Sequence, residues 1–294
     1  MLLSMETLYD MHCHLGFAPD PSLAAADAER RGISAFSCTV TPEEFEVLAP
    51  QLADSPNVRV GLGAHPWWIA DGRIGSAQLD AFCALAPSSP FIGEIGLDFA
   101  GPRDTPESRQ QQNAAFARIL AACNEAAPQE SGITTTAPAQ ESSSISACLS
   151  KLISIHAVNA ASEVLDALEA ANTLSHHQVI FHWFSGSSDD LQRALHAGCF
   201  FSVGPRMLAS RRGREYARQI PLGRLLLETD MPAHDGESLP ANTWEAELRN
   251  ALTGIAQLKG IDPADLSKQL ATTSEALLAG IIPDPNLLPD KSQR

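Results

Sequence analysis

The chain has 294 residues, 44% of them hydrophobic and 19% charged, an ordinary globular mixture long enough for two small domains or one large barrel. The formal net charge of −15 argues against a broad basic surface for long nucleic acid, although bound cations can still attract a small anionic substrate. No stretch approaches the ~20 consecutive apolar residues of a membrane-spanning helix, which excludes that class of protein.

Short aliphatic or β-branched runs alternate along the chain with longer, alanine-rich segments that have the apolar spacing of helices. The runs are TLYDMHCH (7–14), ISAFSCTV (33–40), VRVGLGAH (58–65), FIGEIGLD (91–98), LISIHA (152–157), VIFHWF (179–184), CFFSVG (199–204) and RLLLETD (224–230). Eight such β–α units predict an α/β fold, a closed (β/α)8 TIM barrel, with a doubly wound open sheet as the alternative.

One segment interrupts this rhythm before the fifth predicted strand. Residues 128–150, PQESGITTTAPAQESSSISACLS, are rich in Ser, Thr, Pro and Gln, and we interpret them as a flexible surface insertion. The insertion either has no function or forms a lid over the site. Residues 1–282 are accordingly predicted to form a single barrel domain, followed by a disordered tail at 283–294.

Nearly every predicted strand ends in a side chain that a hydrophobic core does not accommodate. These side chains are His12 and His14 on the first strand, His65 on the third, Glu94 and Asp98 on the fourth, His156 on the fifth, His182 on the sixth, and Glu228 and Asp230 on the eighth. In a closed barrel the C-terminal ends of the parallel strands converge on one rim, where enzymes of this fold keep their active sites. We therefore expect these groups to meet at that rim.

Six of these side chains form a candidate metal-ligand set: His12, His14, Glu94, His156, His182 and Asp230. Imidazole together with carboxylate suits zinc, manganese, magnesium or iron, and six ligands exceed what one tetrahedral ion uses. We therefore predict two divalent ions (Mg, Mn or Zn). One is assigned to His12, His14 and Asp230. The other is assigned to His156 and His182, with Glu94 bridging the pair.

Glu94 and Asp230 are the predicted catalytic residues. Two ions that share a carboxylate activate a water for attack on a phosphoryl or carbonyl centre. Asp230, at the end of the eighth strand, is placed to hold that water and to accept its proton.

Six short motifs occur in this order: DMHCHL, GLGAHP, GEIGLD, SIHAVNA, FHWFSG and LETDMP. The series resembles that of the TatD-type metal-dependent deoxyribonucleases, in the amidohydrolase-like barrel superfamily, over essentially the whole predicted domain. This resemblance implies a barrel of the metal-dependent hydrolase type, two divalent ions, and 3′-directed hydrolysis of DNA, or of RNA in some members. It implies the ligand set that the strand ends give. HWFSGS and FSVGPRML also resemble the TatD-like component of a bacterial antiphage gene cassette, which implies partner proteins of such a cassette.

Two positions bear on the resemblance. The family usually places an arginine two residues after its fifth-strand histidine, and this chain has Val158 there, which removes a possible bidentate contact with phosphate. Two-metal relatives of the deaminase and urease type commonly bridge their ions with a carboxylated lysine. Glu94 at that position favours the TatD branch.

Three further acidic residues are predicted to orient the ligands: Asp10, Asp98 and Glu228. Asp10 should share one face of the first strand with His12 and His14, because alternate side chains of a strand point the same way. Asp98 either orients a ligand or caps the following loop. Glu228 either holds His12 or His14 in place or forms a salt bridge inside the barrel.

Substrate contacts are predicted at His65, Trp67 and Arg206. His65 either hydrogen-bonds a phosphate or caps the end of the third strand. Trp67 offers a ring on which an unpaired base can stack, a contact worth ~1–3 kcal/mol, whereas Trp183 should alternate away from the site into the core. Arg206 begins the arginine-rich run GPRMLASRRGREYARQ, which either meets a phosphate backbone or is a solvated helix face.

The acidic composition favours short or single-stranded DNA ends as substrate over long duplex. The predicted activity is therefore a divalent-metal-dependent phosphodiesterase, a 3′-directed deoxyribonuclease that uses a hydroxide activated by two metal ions. The alternatives are a superfamily hydrolase of a small phosphoester or carbonyl compound, and a non-catalytic barrel that serves as an interaction module. The oligomeric state is not predicted.

The compartment is predicted from the cysteines and the first residues. MLLSMETLYD has neither the basic start nor the long apolar segment of a secretory signal. The six cysteines are scattered without a C-x-x-C pair, which is typical of reduced thiols. We therefore expect a cytoplasmic protein.

Overall fold

A computed structural model describes residues 7–126 and 150–281. The strands are β1 (Leu8–Cys13), β2 (Ile33–Cys38), β3 (Val58–Gly61), β4 (Phe91–Asp98), β5 (Leu152–Val158), β6 (Gln178–His182), β7 (Phe200–Val203) and β8 (Leu225–Leu227). The helices are α1 (Pro21–Arg30), α2 (Pro42–Gln51), α3 (Pro66–Ala70), α4 (Ser76–Leu85), α5 (Pro106–Cys123), α6 (Ala161–Ala170), α7 (Ser188–His196), α8 (Pro205–Ala209), α9 (Arg211–Gln219), α10 (Ala241–Lys259) and α11 (Pro263–Leu278). The predicted insertion, apart from Ser150, and the predicted tail lie outside the described residues.

Backbone hydrogen bonds close the strands into a barrel. β1, β2 and β3 pair in that order, β4 to β8 pair in chain order, and every pair is parallel. A parallel bridge between Leu62 and Ile92 joins β3 to β4. Beyond β8, Asp230 N–H donates to the His12 carbonyl at 2.9 Å, which joins the eighth strand to the first. The predicted (β/α)8 barrel is confirmed, and the open sheet is excluded because both seams are hydrogen-bonded.

Two sets of apolar side chains hold the strands. One lies between the strands and the helices and includes the buried rings of Phe82, Phe116 and Trp244. The other fills the barrel interior with Met11, Phe36, Cys38, Leu152, Ile180, Phe200 and Leu226. Burying such a side chain contributes ~1.5–3 kcal/mol. The interior below the rim is therefore packed with apolar side chains.

Two short helices at the mouth carry candidate residues. α3 begins directly after His65, whose Nδ1 accepts the Trp67 N–H at 3.1 Å and caps the helix. α8 begins after Gly204, which places Arg206 in its first turn. None of the helices in the described ranges has the length and apolar character needed to cross a bilayer.

Candidate metal centre

Glu94 on β4 is the carboxylate around which the candidate site is arranged. Its side chain is only 2% exposed. Its Oε1 lies 2.7 Å from His156 Nδ1 and 2.7 Å from His182 Nε2. Because His156 is on β5 and His182 ends β6, three neighbouring strands bring these groups together at one end of the barrel, where the sequence analysis placed them.

The second oxygen of Glu94 faces the histidines of β1, which in turn face Asp230 beyond β8. Glu94 Oε2 lies 3.6 Å from His12 Nε2 and 3.6 Å from His14 Nε2. Asp230 Oδ1 lies 3.2 Å from His14 Nε2 and 3.8 Å from His12 Nε2. Two atoms bound to one ion at ~2.0–2.2 Å are roughly 3–4 Å apart, so these spacings suit ligands that share an ion.

The surroundings of His12 Nε2 indicate whether these residues suit a metal ion. It is buried and forms no hydrogen bond within the described part of the chain. An unsatisfied buried nitrogen costs ~1–3 kcal/mol, so it calls for a partner. Burial lowers the pKa of His12 to about 4, and the charge on His182 acts in the same direction. The ring is therefore neutral, which is the form that binds a metal ion.

His65 on the barrel rim joins the cluster as a further imidazole. Its Nε2 lies 3.3 Å from Glu94 Oε2, and the residue is buried. Three groups of donor atoms lie close enough to hold an ion: His12, His182 and Asp230; His12, His14 and Glu94; and His65, Glu94 and His156. The predicted substrate contact at His65 thus has a competing role as a ligand.

The charges in the cluster are strongly coupled. Burial opposes ionisation of Glu94, but the surrounding imidazoles hold its pKa well below the usual value. The pKa of Asp230 is also lowered, because its contact with His14 outweighs the effect of burial. Despite burial, Asp230 raises the pKa of His14 to about 9, and Glu94 raises the pKa of His156 to about 9. Metal binding at His14 and His156 would therefore release protons.

Two groups that the sequence analysis missed orient the β1 histidines. Ser154 Oγ lies 2.7 Å from His12 Nδ1, and His14 Nδ1–H donates to the Cys38 carbonyl at 2.9 Å. Ser154 precedes His156 by two residues on β5, so strand alternation could have indicated it. The Cys38 acceptor belongs to the backbone and leaves no signal in the sequence.

Asp98 contacts both a candidate ligand and the following loop. Its Oδ2 accepts from His156 Nε2 at 3.0 Å, which leaves Nδ1 of the same ring facing Glu94. Its Oδ1 accepts the Ala100 N–H at 2.8 Å. The two alternatives predicted for Asp98 are therefore compatible.

Asp10 does not share a face with the imidazoles, and this expectation was wrong. The β1–β2 register shifts between Asp10 and Cys13, which breaks the simple alternation of side chains. Asp10 accepts from the His12 backbone N–H at 3.2 Å, from Thr229 Oγ1 at 2.5 Å and from Trp244 Nε1 at 2.6 Å. It thus ties β1 to the end of β8 and to α10.

Glu228 has a different neighbour from the predicted His12 or His14. Ser202 Oγ donates to Glu228 Oε2 at 2.5 Å, and that oxygen lies 3.8 Å from His182 Nδ1. Burial raises the pKa of Glu228 well above its usual value, and the nearby carboxylates act in the same direction. The neutral form of Glu228 is therefore favoured beside His182.

Trp183 lies at the mouth of the barrel, and the prediction that it packs into the core was wrong. Its φ of 39° ends the regular strand directly after His182 and turns the ring outward, so 38% of the residue is exposed. Trp67 is 44% exposed, and its Nε1–H donates to Asp98.

The arginines after β7 divide into two groups. Arg206 Nη1 donates to Asp230 Oδ2 at 2.8 Å and so reaches the candidate centre. Arg212 donates to the Ser185 carbonyl at 3.2 Å, and Arg214 to the Leu208 carbonyl at 2.9 Å. Arg212 and Arg214 thus stabilise neighbouring loops, and Arg206 is the best placed of the three to contact a substrate.

Known proteins resemble this chain along most of its length. A family model described as TatD related DNase matches residues 9–128 and 140–279. Human deoxyribonuclease TATDN3 is 26% identical over 288 residues, covering 92% of this chain and 93% of the human protein. The 3′-5′ ssDNA/RNA exonuclease TatD of Klebsiella pneumoniae is 31% identical over 218 residues, covering 70% of this chain and 72% of its own length.

Solved structures share the fold. The TatD homolog YJJV of Escherichia coli K12 superposes with a TM-score of 0.71 at 19% identity, covering 93% of this chain and 98% of its own. A TatD family hydrolase of Entamoeba histolytica gives a TM-score of 0.67 at 14% identity, covering 92% of this chain and 98% of its own. The match of the family model along nearly the whole barrel is decisive: the chain belongs to the TatD related DNase family and is a metal-dependent hydrolase that acts on ester bonds.

Proposed function

We propose that the chain binds two divalent ions (Mg, Mn or Zn) and hydrolyses phosphodiester bonds of DNA from the 3′ end. The observation that carries the proposal is the position of Glu94, each of whose two oxygens faces a different pair of imidazoles. When bound, the ions supply acidification of an attacking water and neutralisation of the charge that builds on the phosphate. The proposed ligands are His12, His14, Glu94, His156, His182 and Asp230.

Asp230 is the proposed proton acceptor. Its Oδ1 faces His14 and His12, whereas its Oδ2 faces Arg206. Oδ2 is therefore the oxygen that would hold the attacking water and take its proton. The lowered pKa keeps this carboxylate ionised at neutral pH, so it can accept a hydrogen bond from the attacking water.

Single-stranded DNA ends are the proposed substrate. Relatives named 3′-5′ ssDNA/RNA exonuclease support both the polarity and the preference for unpaired strands. The net charge of −15 also disfavours long duplex, which needs many cationic contacts. The predicted cytoplasmic location and the predicted partner proteins of a defence cassette stay predictions from the sequence.

The test uses purified full-length chain with added Mn²⁺ or Mg²⁺. Single strands labelled at the 5′ end should shorten stepwise, while a strand blocked at its 3′ end should persist. Glu94→Gln should lower the rate at least about a hundredfold, because the ions supply several kcal/mol of charge stabilisation. Glu163→Gln, at a half-exposed surface position, is the matched control and should keep wild-type activity.

Two outcomes would contradict the proposal. If DNA stays intact while a small phosphoester or carbonyl compound turns over, the chain is a different hydrolase of the superfamily. If purified protein binds no divalent ion and added ions restore no activity, the barrel is an interaction module.

A further inference from the structure

Two of the four tryptophans stand exposed, and both are at the mouth of the barrel. By contrast, Trp244 is fully buried and Trp68 packs against the core. Trp67 follows His65 by two residues, and Trp183 directly follows His182. An exposed indole leaves a large apolar surface in water, which folding alone does not favour.

Trp67 is held beside the candidate centre on the β3–β4 side. Its ring centroid lies 6.1 Å from that of His156, and its Nε1–H donates to Asp98. The Arg103 guanidinium lies 4.7 Å from the indole centroid and forms an ion pair of 3.0 Å with Asp98 Oδ1. The ring is thus fixed at its edge, with a cation over one face.

Trp183 repeats this arrangement on the β6–β7 side. The Arg206 guanidinium lies 5.8 Å from its ring centroid and binds Asp230 at 2.8 Å. The positive φ of Trp183 is a strained conformation for a bulky residue, and such strain clusters at binding sites. Each exposed indole is therefore paired with an arginine, and each arginine is anchored to a carboxylate of the site.

The candidate centre lies between these two tryptophan–arginine pairs. His156, beside Trp67, has its ring centroid 5.5 Å from that of His182, which precedes Trp183. A phosphodiester bound at ions held by Glu94 would therefore have one indole near His156 and the other next to His182. We propose that Trp67 and Trp183 stack on the two unpaired bases that flank the scissile phosphodiester, an inference that rests on the proposed function.

The two exposed rings, Trp67 and Trp183, form what we call the tryptophan clamp. This clamp explains how an acidic chain can hold a polyanion. Stacking on an aromatic ring uses the face of any base, so it adds affinity without a basic groove and without sequence preference. The Arg103 and Arg206 guanidinium groups, each paired with a carboxylate, lie over the two rings. In a duplex the bases are already stacked and paired, so splaying them apart would be costly. The clamp therefore selects single strands.

The test compares an intact oligothymidylate with strands that lack one base. One strand is abasic at the 3′-terminal nucleotide and the other at the penultimate nucleotide, so the phosphates are unchanged. With wild-type protein and Mn²⁺, each missing base should raise KM at least about fivefold, which is the low end of measured stacking contributions.

Trp183→Leu is the decisive variant because the Trp67 indole also donates to Asp98, which holds His156, whereas the Trp183 ring contacts Arg206. It should raise KM for the intact strand about fivefold or more and change kcat by less than about twofold. It should also abolish the rise in KM that one of the two missing bases causes, and leave the rise that the other missing base causes. Trp183→Phe keeps a ring and should restore most of the loss. Trp67→Leu should abolish the penalty at the other position.

Trp68→Phe is the matched control. Trp68 also carries an arginine near its ring, with Arg73 at 4.1 Å, but it packs against the core. The KM values of the Trp68→Phe variant for the intact and abasic strands should equal those of the wild type.

The inference fails if Trp183→Leu leaves both abasic penalties intact, or if it lowers cleavage of intact and abasic strands equally through kcat. Continued digestion of DNA in those cases leaves the proposed function standing. If the wild-type protein cleaves none of the strands, both the inference and the proposed function fail.

Discussion

The direction in which a candidate ligand points is decided by what its second ring nitrogen binds. At His156, Nε2 is held by Asp98 at 3.0 Å, so Nδ1 is turned toward Glu94. Asp98 is itself fixed by Ala100 N–H and by the ion pair with Arg103. A carboxylate behind an imidazole also fixes its tautomer and strengthens its bond to a metal.

Asp98→Asn should weaken metal binding by about 10- to 100-fold, because an amide cannot stabilise the imidazole as a carboxylate does. Titration calorimetry with Mn²⁺ measures the change. Asp104→Asn is the control, since Asp104 is exposed and pairs only with Arg109 among the contacts described for it. Equal affinities for Asp98→Asn and wild-type protein would show that Asp98 does not support a ligand.

At the level of the secondary-structure elements, the residues that follow the strands leave the extended backbone conformation, and this orients the side chains of the site. Asn159, Trp183 and Asp230 have positive φ values of 53°, 39° and 57°, and they follow β5, β6 and β8. A close approach between strands adds to this. A Cβ on Gly96, whose φ is 143°, would lie 2.0 Å from the His156 carbonyl oxygen. The GEIGLD motif thus needs glycine where β4 passes β5.

Gly96→Ala should lower the free energy of unfolding by at least about 2 kcal/mol, since both its φ and the backbone contact oppose a side chain. It should also reduce nuclease activity, because β4 must move away from His156. Gly72→Ala is the control: its φ is 82°, but a Cβ there meets no atom within 4 Å. Urea unfolding followed by circular dichroism compares the variants, and equal losses would refute a special constraint at Gly96.

At the scale of the whole molecule, the two ends of the barrel have separate tasks. The C-terminal ends of the strands carry the imidazoles and carboxylates. At the opposite end, His177 accepts the Lys151 backbone N–H at 3.2 Å through Nδ1 and lies 3.0 Å from Asn124 Oδ1 through Nε2. In barrels of this kind, that lower face contributes to stability and the upper face to catalysis.

His177 makes stability depend on pH without touching the candidate centre. Burial, together with the charge of Lys151, lowers the pKa of His177 from 6.5 to about 4. Between these values the unfolded chain binds more protons than the folded one, so this contribution to stability is present above pH 6.5 and is lost as the pH falls through about 4.

His177→Gln should therefore lose less stability than the wild type when the pH falls from about 7.5 to about 5. Urea titrations at both pH values measure the difference. His196→Gln, on the exposed surface of α7, should keep the wild-type slope. Identical slopes for His177→Gln and the wild type would contradict the assignment.

The eight strands and the polar rim could be predicted because both follow from patterns that are local in sequence. His12, Glu94 and Asp230 each end an apolar run, and closure of the barrel brings such ends together. Asp10 was misplaced because a register shift between neighbouring strands is invisible in one strand's pattern. Trp183 was misplaced because a positive φ overrides alternation.

Diffraction from crystals grown with Mn²⁺, recorded at the manganese absorption edge, would locate the two proposed ions. Two anomalous peaks about 3.5–4 Å apart are expected, one on each side of the Glu94 carboxylate. A single peak, no peak, or peaks away from Glu94 would contradict the proposal of two ions.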